Sequence, residues 1–309
     1  MIFDKSQTPF AEFLNYINNN RIVELSPDIL RAAFSKLCQN LSIPHEELYQ
    51  VESSTIHTHE YNIPTRTYLP IEHHHTLPIM IYLHGGGHMI GSINDYDTTL
   101  RAIANHCQAV VIAIEYRLAP EHPYPAGLND CLCAIEHLSR RFDQRNIYIV
   151  GDSAGGNLTA LATLKLHDNI NIAGQILIYP SLDFSCSSPS YHHYQQYYFL
   201  ERKTIEFYFN HYFNSPDQSE RIAASPLLQP TPSTLPKTLI ITADLDPLRD
   251  EGIRYHQKLQ EHRIHAELTN IPKMIHAFMS LYKVVPKQVE QLFTLIYQFI
   301  NDNNHNHHK

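Results

Sequence analysis

Ser153 stands between Gly151 and Gly155 in the run Ile149-Val-Gly-Asp-Ser-Ala-Gly-Gly-Asn-Leu158. A serine hydroxyl is a poor nucleophile at neutral pH. It attacks a carbonyl only with a base, a carboxylate to orient that base, and donors for the developing oxyanion. Gly and Ser also fill ordinary turns, so the flanks decide. Asn146–Val150 is a short apolar, β-branched run that reads as a buried strand, and Leu158–Leu166 reads as a helix. At a strand-to-helix corner this tight the serine is strained and its hydroxyl exposed. Glycines at 151 and 155 remove side chains that would meet neighbouring backbone, and the Ala154 N–H, beside Asp152 and Ser153, points into the same space. The corner is also a helix N-terminus, whose partial positive charge favours an oxyanion.

Further donors are offered by His84-Gly85-Gly86-Gly87-His88, which follows a second predicted strand, Leu77–Leu83. Three consecutive glycines let backbone N–H groups face a ligand with no Cβ in the way. A phosphate-binding loop would need Gly-Lys-Ser/Thr after them and a dinucleotide fold would need G-x-G-x-x-G; neither is present. HGGG after a strand and upstream of G-x-S-x-G is instead the oxyanion-loop arrangement of lipases and esterases.

The orienting carboxylate belongs at the end of a later strand. Thr238–Thr242 is such a strand, followed by Ala243-Asp-Leu-Asp-Pro-Leu-Arg-Asp-Glu-Gly252. Pro247 suits the first position of a helix, which makes Asp246 its N-cap at the strand end, whereas Asp250 and Glu251 fall one turn into the helix. Asp246 is the candidate and Asp244 the alternative. Histidine is abundant, with 22 in the chain, so position selects the base. Ala266–Ile271 reads as the last strand, and His276 lies in the loop after it. His262 and His265, near a helix end and the start of that strand, suit a solvated surface role. The order Ser153, Asp246, His276 is that of the α/β-hydrolase triad, not that of the chymotrypsin or subtilisin folds.

Together with HGGG and GDSAGGN, the segments Glu115-Tyr-Arg-Leu-Ala-Pro-Glu-His-Pro-Tyr-Pro-Ala126, Ser225-Pro-Leu-Leu228, DPLRDEG and IHAF resemble the hormone-sensitive-lipase-like (bacterial family IV) esterases of the α/β-hydrolase superfamily, over roughly residues 50 to 300. The resemblance implies an α/β fold with a mostly parallel central sheet flanked by helices, and a helical cap. It implies Ser153 as nucleophile, Asp246 as acid, His276 as base and the N–H groups of Gly86, Gly87 and Ala154 as the oxyanion hole, with Asp152 a neighbour of the nucleophile. The implied activity is hydrolysis of short- to medium-chain carboxylic esters through an acyl-enzyme, with no cofactor and no metal. Amidase or arylacetamide deacetylase chemistry would use the same residues. The plant gibberellin receptors share the motifs but lack the histidine, which is present here as His276. His88 and Tyr124 depart from the commoner residues at their positions, and His88 is placed to tune the acyl pocket. Relatives form dimers through the last strand and helix, so a homodimer is allowed.

The whole chain fits one domain over its 309 residues. Strands and helices alternate from about Tyr61 to the end, which calls for a mostly parallel sheet with helices on both faces. Two stretches fall outside that rhythm, about residues 1–50 and 181–221, and the resemblance implies that they form the cap. The first is helical around Phe10–Tyr16 and Ser26–Leu37. The second is rich in aromatic residues, including Tyr197, Tyr198, Phe199, Phe207, Tyr208 and Phe209, most of which should pack the cap onto the body.

A formal charge of −8 with no basic run argues against nucleic acid and anionic membranes as partners. No segment approaches the roughly 18 apolar residues of a membrane span, and the N-terminus lacks a secretory signal pattern. Five cysteines without zinc-type pairing read as buried thiols in a reducing, cytoplasmic setting. His73–His75 reads as a turn, and His305, His307 and His308 as part of a polar tail; no ligand set of carboxylate or cysteine accompanies either tract.

Overall fold

The computed structural model describes residues 9–20, 25–58, 61–142, 144–215 and 218–302. His305, His307 and His308 lie outside them, as does the extreme N-terminus. Two helices, α1 (Pro9–Asn19) and α2 (Pro27–Leu41), precede a hairpin of β1 (Gln50–His57) and β2 (Asn62–Leu69). Then come β3 (Ile79–Leu83), α3 (Ile93–Cys107), β4 (Val110–Ile114), α4 (Ala126–Arg141), β5 (Ile147–Asp152), α5 (Ala154–Leu166) and β6 (Ile172–Ile178). Three short helices follow, α6 (Pro189–His193), α7 (Arg202–Tyr212) and α8 (Ser219–Ala223). The chain closes with β7 (Thr238–Leu245), α9 (Arg249–Glu261), β8 (Ala266–Ile275) and α10 (Pro286–Asn301).

The strands form one sheet in the order β1-β2-β4-β3-β5-β6-β7-β8. β2 is antiparallel to both β1 and β4, and the remaining neighbours are parallel. Alternation along the strands builds two cores. Ile79, Ile81 and Leu83 of β3, with Val110, Ile112 and Ile114 of β4, face one way and pack with Leu128 and Ile135 of α4. Met80, Tyr82, Val111 and Ala113 face the other way and pack with Leu100 and Ile103 of α3 and Leu292 and Ile296 of α10. A strand apolar on both faces is what a parallel sheet between two helix layers requires.

A further apolar cluster joins Leu30 of α2, Tyr191 of α6 and Ile205, Phe209 and Tyr212 of α7 to Met89, Ile90, Ala119 and Leu248 on connecting loops. It seats these helices above the loops that follow β3, β4 and β7.

Several boundaries differ from the sequence expectation. β1 precedes the predicted start of alternation; only Ile56 of its eight residues is buried, so no apolar pattern marks it. The connector between β2 and β3 holds a short 3-10 turn at His74–Thr76, where the His73–His75 tract was expected to turn. β7 runs on to Leu245 and β8 to Ile275, through Pro272. Cys38, Cys107 and Cys131 are buried thiols as expected, whereas Cys133 and Cys186 are half-buried. No helix among the described residues is long and apolar enough to cross a membrane.

Candidate active site

β5 delivers Ser153 to the predicted corner. Its backbone sits at φ 55°, ψ −117°, a strained conformation for a side-chain-bearing residue. Hydrogen bonds hold it there: Ser153 N donates to Ile178 O at 2.8 Å, and its carbonyl accepts from Asn157 N and Ser181 N, both at 3.1 Å. α5 begins at once with Ala154 and passes so close to β3 that a Cβ on Gly155 would lie 1.9 Å from Leu83 O. Gly151 is packed as tightly, against the Gly155 carbonyl.

Ser153 Oγ lies 2.8 Å from His276 Nε2, and His276 Nδ1 lies 2.7 Å from Asp246 Oδ2. A carboxylate only accepts, so Nδ1 carries the proton and Nε2 is free to accept from the serine hydroxyl. Asp246 is fully buried and His276 nearly so, with the Tyr179 ring edge-on to the imidazole at 4.9 Å. Asp246 is not a helix N-cap. α9 begins at Arg249, and Asp246 Oδ1 instead accepts from Leu248 N at 2.8 Å, closing a turn that leaves Oδ2 aimed at His276. Asp250 and Glu251 therefore lie in the first turn of α9. The alternative, Asp244, is turned towards β8, where it accepts from Lys273 N at 3.2 Å. His262 caps the end of α9 through Lys258 O, and exposed His265 pairs with Glu267.

The HGGG loop folds over this corner. Gly86 and Gly87 take φ values of 119° and 60°, open to glycine at no steric cost. Met89 N and Ile90 N both donate to Gly86 O, at 3.0 and 2.9 Å. Among the described residues the N–H groups of Gly86 and Gly87 donate to no protein acceptor, and both glycines line the same cavity as Ser153, Ala154 and His276. Ala154 is the first residue of α5, so its N–H has no intrahelical partner.

Asp152 anchors the loop from beneath. Its carboxylate accepts from Gly85 N (2.8 Å), Tyr82 Oη (2.8 Å) and Tyr96 Oη (2.9 Å). Burial raises its pKa, and these three donors oppose the rise. His84 Nδ1 donates to Gly85 O at 2.8 Å, and its ring stacks on Tyr116, whose hydroxyl donates to His84 O at 2.7 Å. The sequence had no signal for either tyrosine: Tyr82 read simply as one residue of the strand Leu77–Leu83, and nothing singled out Tyr96.

Above the loop lies a cavity of about 540 Å³, with Ser153 and His276 at its floor and α1, α2 and α7 in its walls. Phe199, Tyr208 and Phe209 line it, whereas Phe207 packs in the outer cluster and Tyr197 is exposed. The Tyr208 ring lies where a Cβ on Gly87 would approach within 2.3 Å. His88 stacks flat on Tyr212, with ring centroids 3.8 Å apart. Burial holds it neutral by lowering its pKa to about 3, with His84 adding to the effect.

Comparison with known proteins identifies the family. A family model for the alpha/beta hydrolase fold matches residues 80–280. Carboxylesterase NlhH of Mycobacterium tuberculosis is 35% identical over 239 residues, covering 74% of this chain and 75% of that protein. Ethyl acetate hydrolase of Pseudomonas putida is 32% identical over 246 residues, covering 76% and 77%. Among solved structures, an ester hydrolase from the metagenome of Lake Arreo, complexed with a bipyridine phosphonate derivative, superposes with a TM-score of 0.88 at 30% identity, covering 95% of this chain and 99% of that one. With its strand order, its strained serine corner and these matches, the chain belongs to the α/β-hydrolase superfamily, on its hormone-sensitive-lipase-like branch.

Proposed function

We propose that the protein is a serine carboxylesterase acting on short- to medium-chain esters. The observation that carries this reading is the unbroken hydrogen-bonded chain from Ser153 through His276 to buried Asp246. The names of the relatives, a carboxylesterase and an ethyl acetate hydrolase, support the ester bond as the target.

His276 Nε2 takes the Ser153 proton as Oγ attacks the ester carbonyl. The carbonyl oxygen, now negative, is received by the N–H groups of Gly86, Gly87 and Ala154, which are fixed before the reaction and need no reorganisation. Asp246 holds the imidazole in the required tautomer and stabilises the imidazolium. His276 then gives its proton to the leaving alkoxide, and the alcohol departs. Water activated by His276 attacks the acyl-enzyme and regenerates Ser153.

Helices α1, α2 and α6–α8 form the cap in this reading, and their apolar side chains around the cavity receive the acyl or alcohol group. The five unpaired cysteines support a reducing, cytoplasmic setting.

Hydrolysis of p-nitrophenyl esters from acetate to palmitate, in the wild type and in Ser153→Ala, tests the proposal. Turnover by the wild type that peaks at short or medium chains and vanishes in Ser153→Ala is the expected result. Equal turnover in the two proteins would remove Ser153 from the mechanism. A folded wild type inert to all esters but active on aryl amides would point to an amidase.

A further inference from the structure

Arg31 projects from α2 into the junction between the HGGG loop and the loop after β4. Its Nε donates to Met89 O at 2.9 Å and one terminal nitrogen donates to Ala119 O at 3.1 Å. Both terminal nitrogens also bind the Glu121 carboxylate, at 2.8 and 2.7 Å. The two loops are themselves joined, because Ala119 N donates to His88 O at 2.8 Å. One guanidinium therefore clasps both sides of the junction, with four donor contacts in a fixed planar fork.

What it clasps is a left-handed run of backbone that ends on a side-chain-bearing residue. Gly86, Gly87 and His88 take φ values of 119°, 60° and 62° in succession; the first two are free to glycine, but at His88 such a backbone persists only where surrounding contacts over-determine it. Asp152 fixes the loop at its start, through Gly85 N. At its end, Met89 N bonds back to Gly86 O while Met89 O is taken by Arg31. The same helix places Leu30 and Phe34 in the cavity wall.

We propose that Arg31 is a positioning residue: it sets the geometry of the Gly86 and Gly87 N–H groups from the cap side, so that seating of α2 and competence of the oxyanion hole are coupled. The inference rests on the esterase reading above. Arg31 touches no reacting atom, so it acts only through the loop. Glu121 is half-exposed, and an ion pair so placed adds little to stability. What the fork supplies is direction.

The test uses the full chain as wild type, Arg31→Lys, Arg31→Met and Glu121→Gln. Three quantities are read: kcat and KM for p-nitrophenyl butyrate, Ki for an alkyl trifluoromethyl ketone, and Ki for the matching non-fluorinated ketone. Ser153 Oγ adds to the fluorinated carbonyl, its proton passes to His276, and the hemiketal oxygen becomes an oxyanion; the plain ketone only occupies the cavity. A misplacement of about 1 Å in a catalytic group costs on the order of 100-fold. Both Arg31 variants should therefore lose roughly 10- to 100-fold in kcat with KM little changed. They should lose a similar factor in affinity for the fluorinated ketone and none for the plain one. Glu121→Gln, which leaves the bonds to Met89 and Ala119 in place, should lose less.

Wild-type kcat and fluorinated-ketone affinity in folded Arg31→Lys would overturn the inference, as would parallel weakening of both ketones with a lowered Tm, the mark of a merely structural clasp. Arg31→Lys and Glu121→Gln carry the test if Arg31→Met does not fold. A wild type that neither hydrolyses the ester nor binds the fluorinated ketone overturns the esterase reading, and the inference with it.

Discussion

The Asp152 carboxylate accepts the Gly85 N–H at 2.8 Å, so the residue directly before the candidate nucleophile holds the loop that carries the candidate oxyanion donors. Two halves of one candidate site, separated by a helix, a strand and a second helix in sequence and carried by the neighbouring strands β3 and β5, are thus also tied by one side chain.

Truncating that side chain should damage both stability and turnover. In Asp152→Ala the Tyr82 and Tyr96 hydroxyls and the Gly85 N–H lose their acceptor in a buried site, at about 1–3 kcal/mol for each group left unsatisfied. Asp152→Asn keeps one oxygen for Gly85 and Tyr82 and should lose less. Urea midpoints and kcat for both variants check this, and an alanine variant with wild-type values for both would contradict it.

Asp246→Asn isolates the tautomer. The shape is kept, but an amide nitrogen facing His276 Nδ1 selects the wrong protonated nitrogen, which in a serine–histidine–aspartate triad lowers kcat on the order of 10⁴-fold. The Leu248 N contact at Oδ1 lets the amide oxygen stay in place, so the fold should persist. Circular dichroism together with ester turnover separates the two effects. A loss of less than tenfold would leave Asp246 a structural turn residue.

Acid should destabilise the fold through His88. Its folded pKa is lowered to about 3 by burial, against about 6.5 in an unfolded chain. Between those values the unfolded state binds a proton that the native state refuses. This contribution is therefore complete above about pH 6.5 and falls by up to about 1.4 kcal/mol per pH unit on the way down to pH 3. His88→Phe, which can keep the stack on Tyr212, should flatten that slope. Denaturation at pH 7.5 and pH 5 in both proteins measures it, and a wild-type-to-variant difference that does not change with pH would assign the acid sensitivity elsewhere.

Gly155→Ala should be costly despite its small size. The added Cβ would meet Leu83 O at 1.9 Å, a backbone atom of a central strand that cannot rotate away. Overpacking of this kind costs typically about 1–3 kcal/mol, and α5 must shift to relieve it. Since that shift moves Ser153 and the Ala154 N–H together, kcat should fall along with Tm. An alanine variant matching the wild type in both would mean that the corner is looser than the packing indicates.

The candidate site residues were legible because they sit at strand ends marked by local chemistry: glycines around Ser153, three glycines after β3, and a histidine after the last strand. The elements that read poorly lie at the sheet's edges. β1 is polar and exposed and shows no alternation of buried residues. β8 continues through Pro272, which falls where the pairing with β7 shifts register between Ile271 and Ile275, a place that tolerates a missing N–H. The start of α9 was placed too early because Pro247 looked like a first helical residue, while the Asp246 contact with Leu248 N delays the helix to Arg249. Arg31 left no local trace, since its partners lie 58 to 90 residues away. Long-range polar contacts of that kind become visible only when the chain is folded.

β8 also bears on what the open edge of the sheet can pair with. An unpaired sheet edge is a template for fibre growth, and natural sheets blunt it with charge and proline. The outermost strand here carries exposed Glu267, Pro272 and Lys273, with Lys273 at φ 61° bending the backbone out of extended geometry. A foreign strand laid along that edge could pair with its first half only, and would lose its ladder at the proline. The interruption that hid the end of β8 from its sequence thus shortens the edge open to strand addition, one of the devices by which sheets limit such pairing.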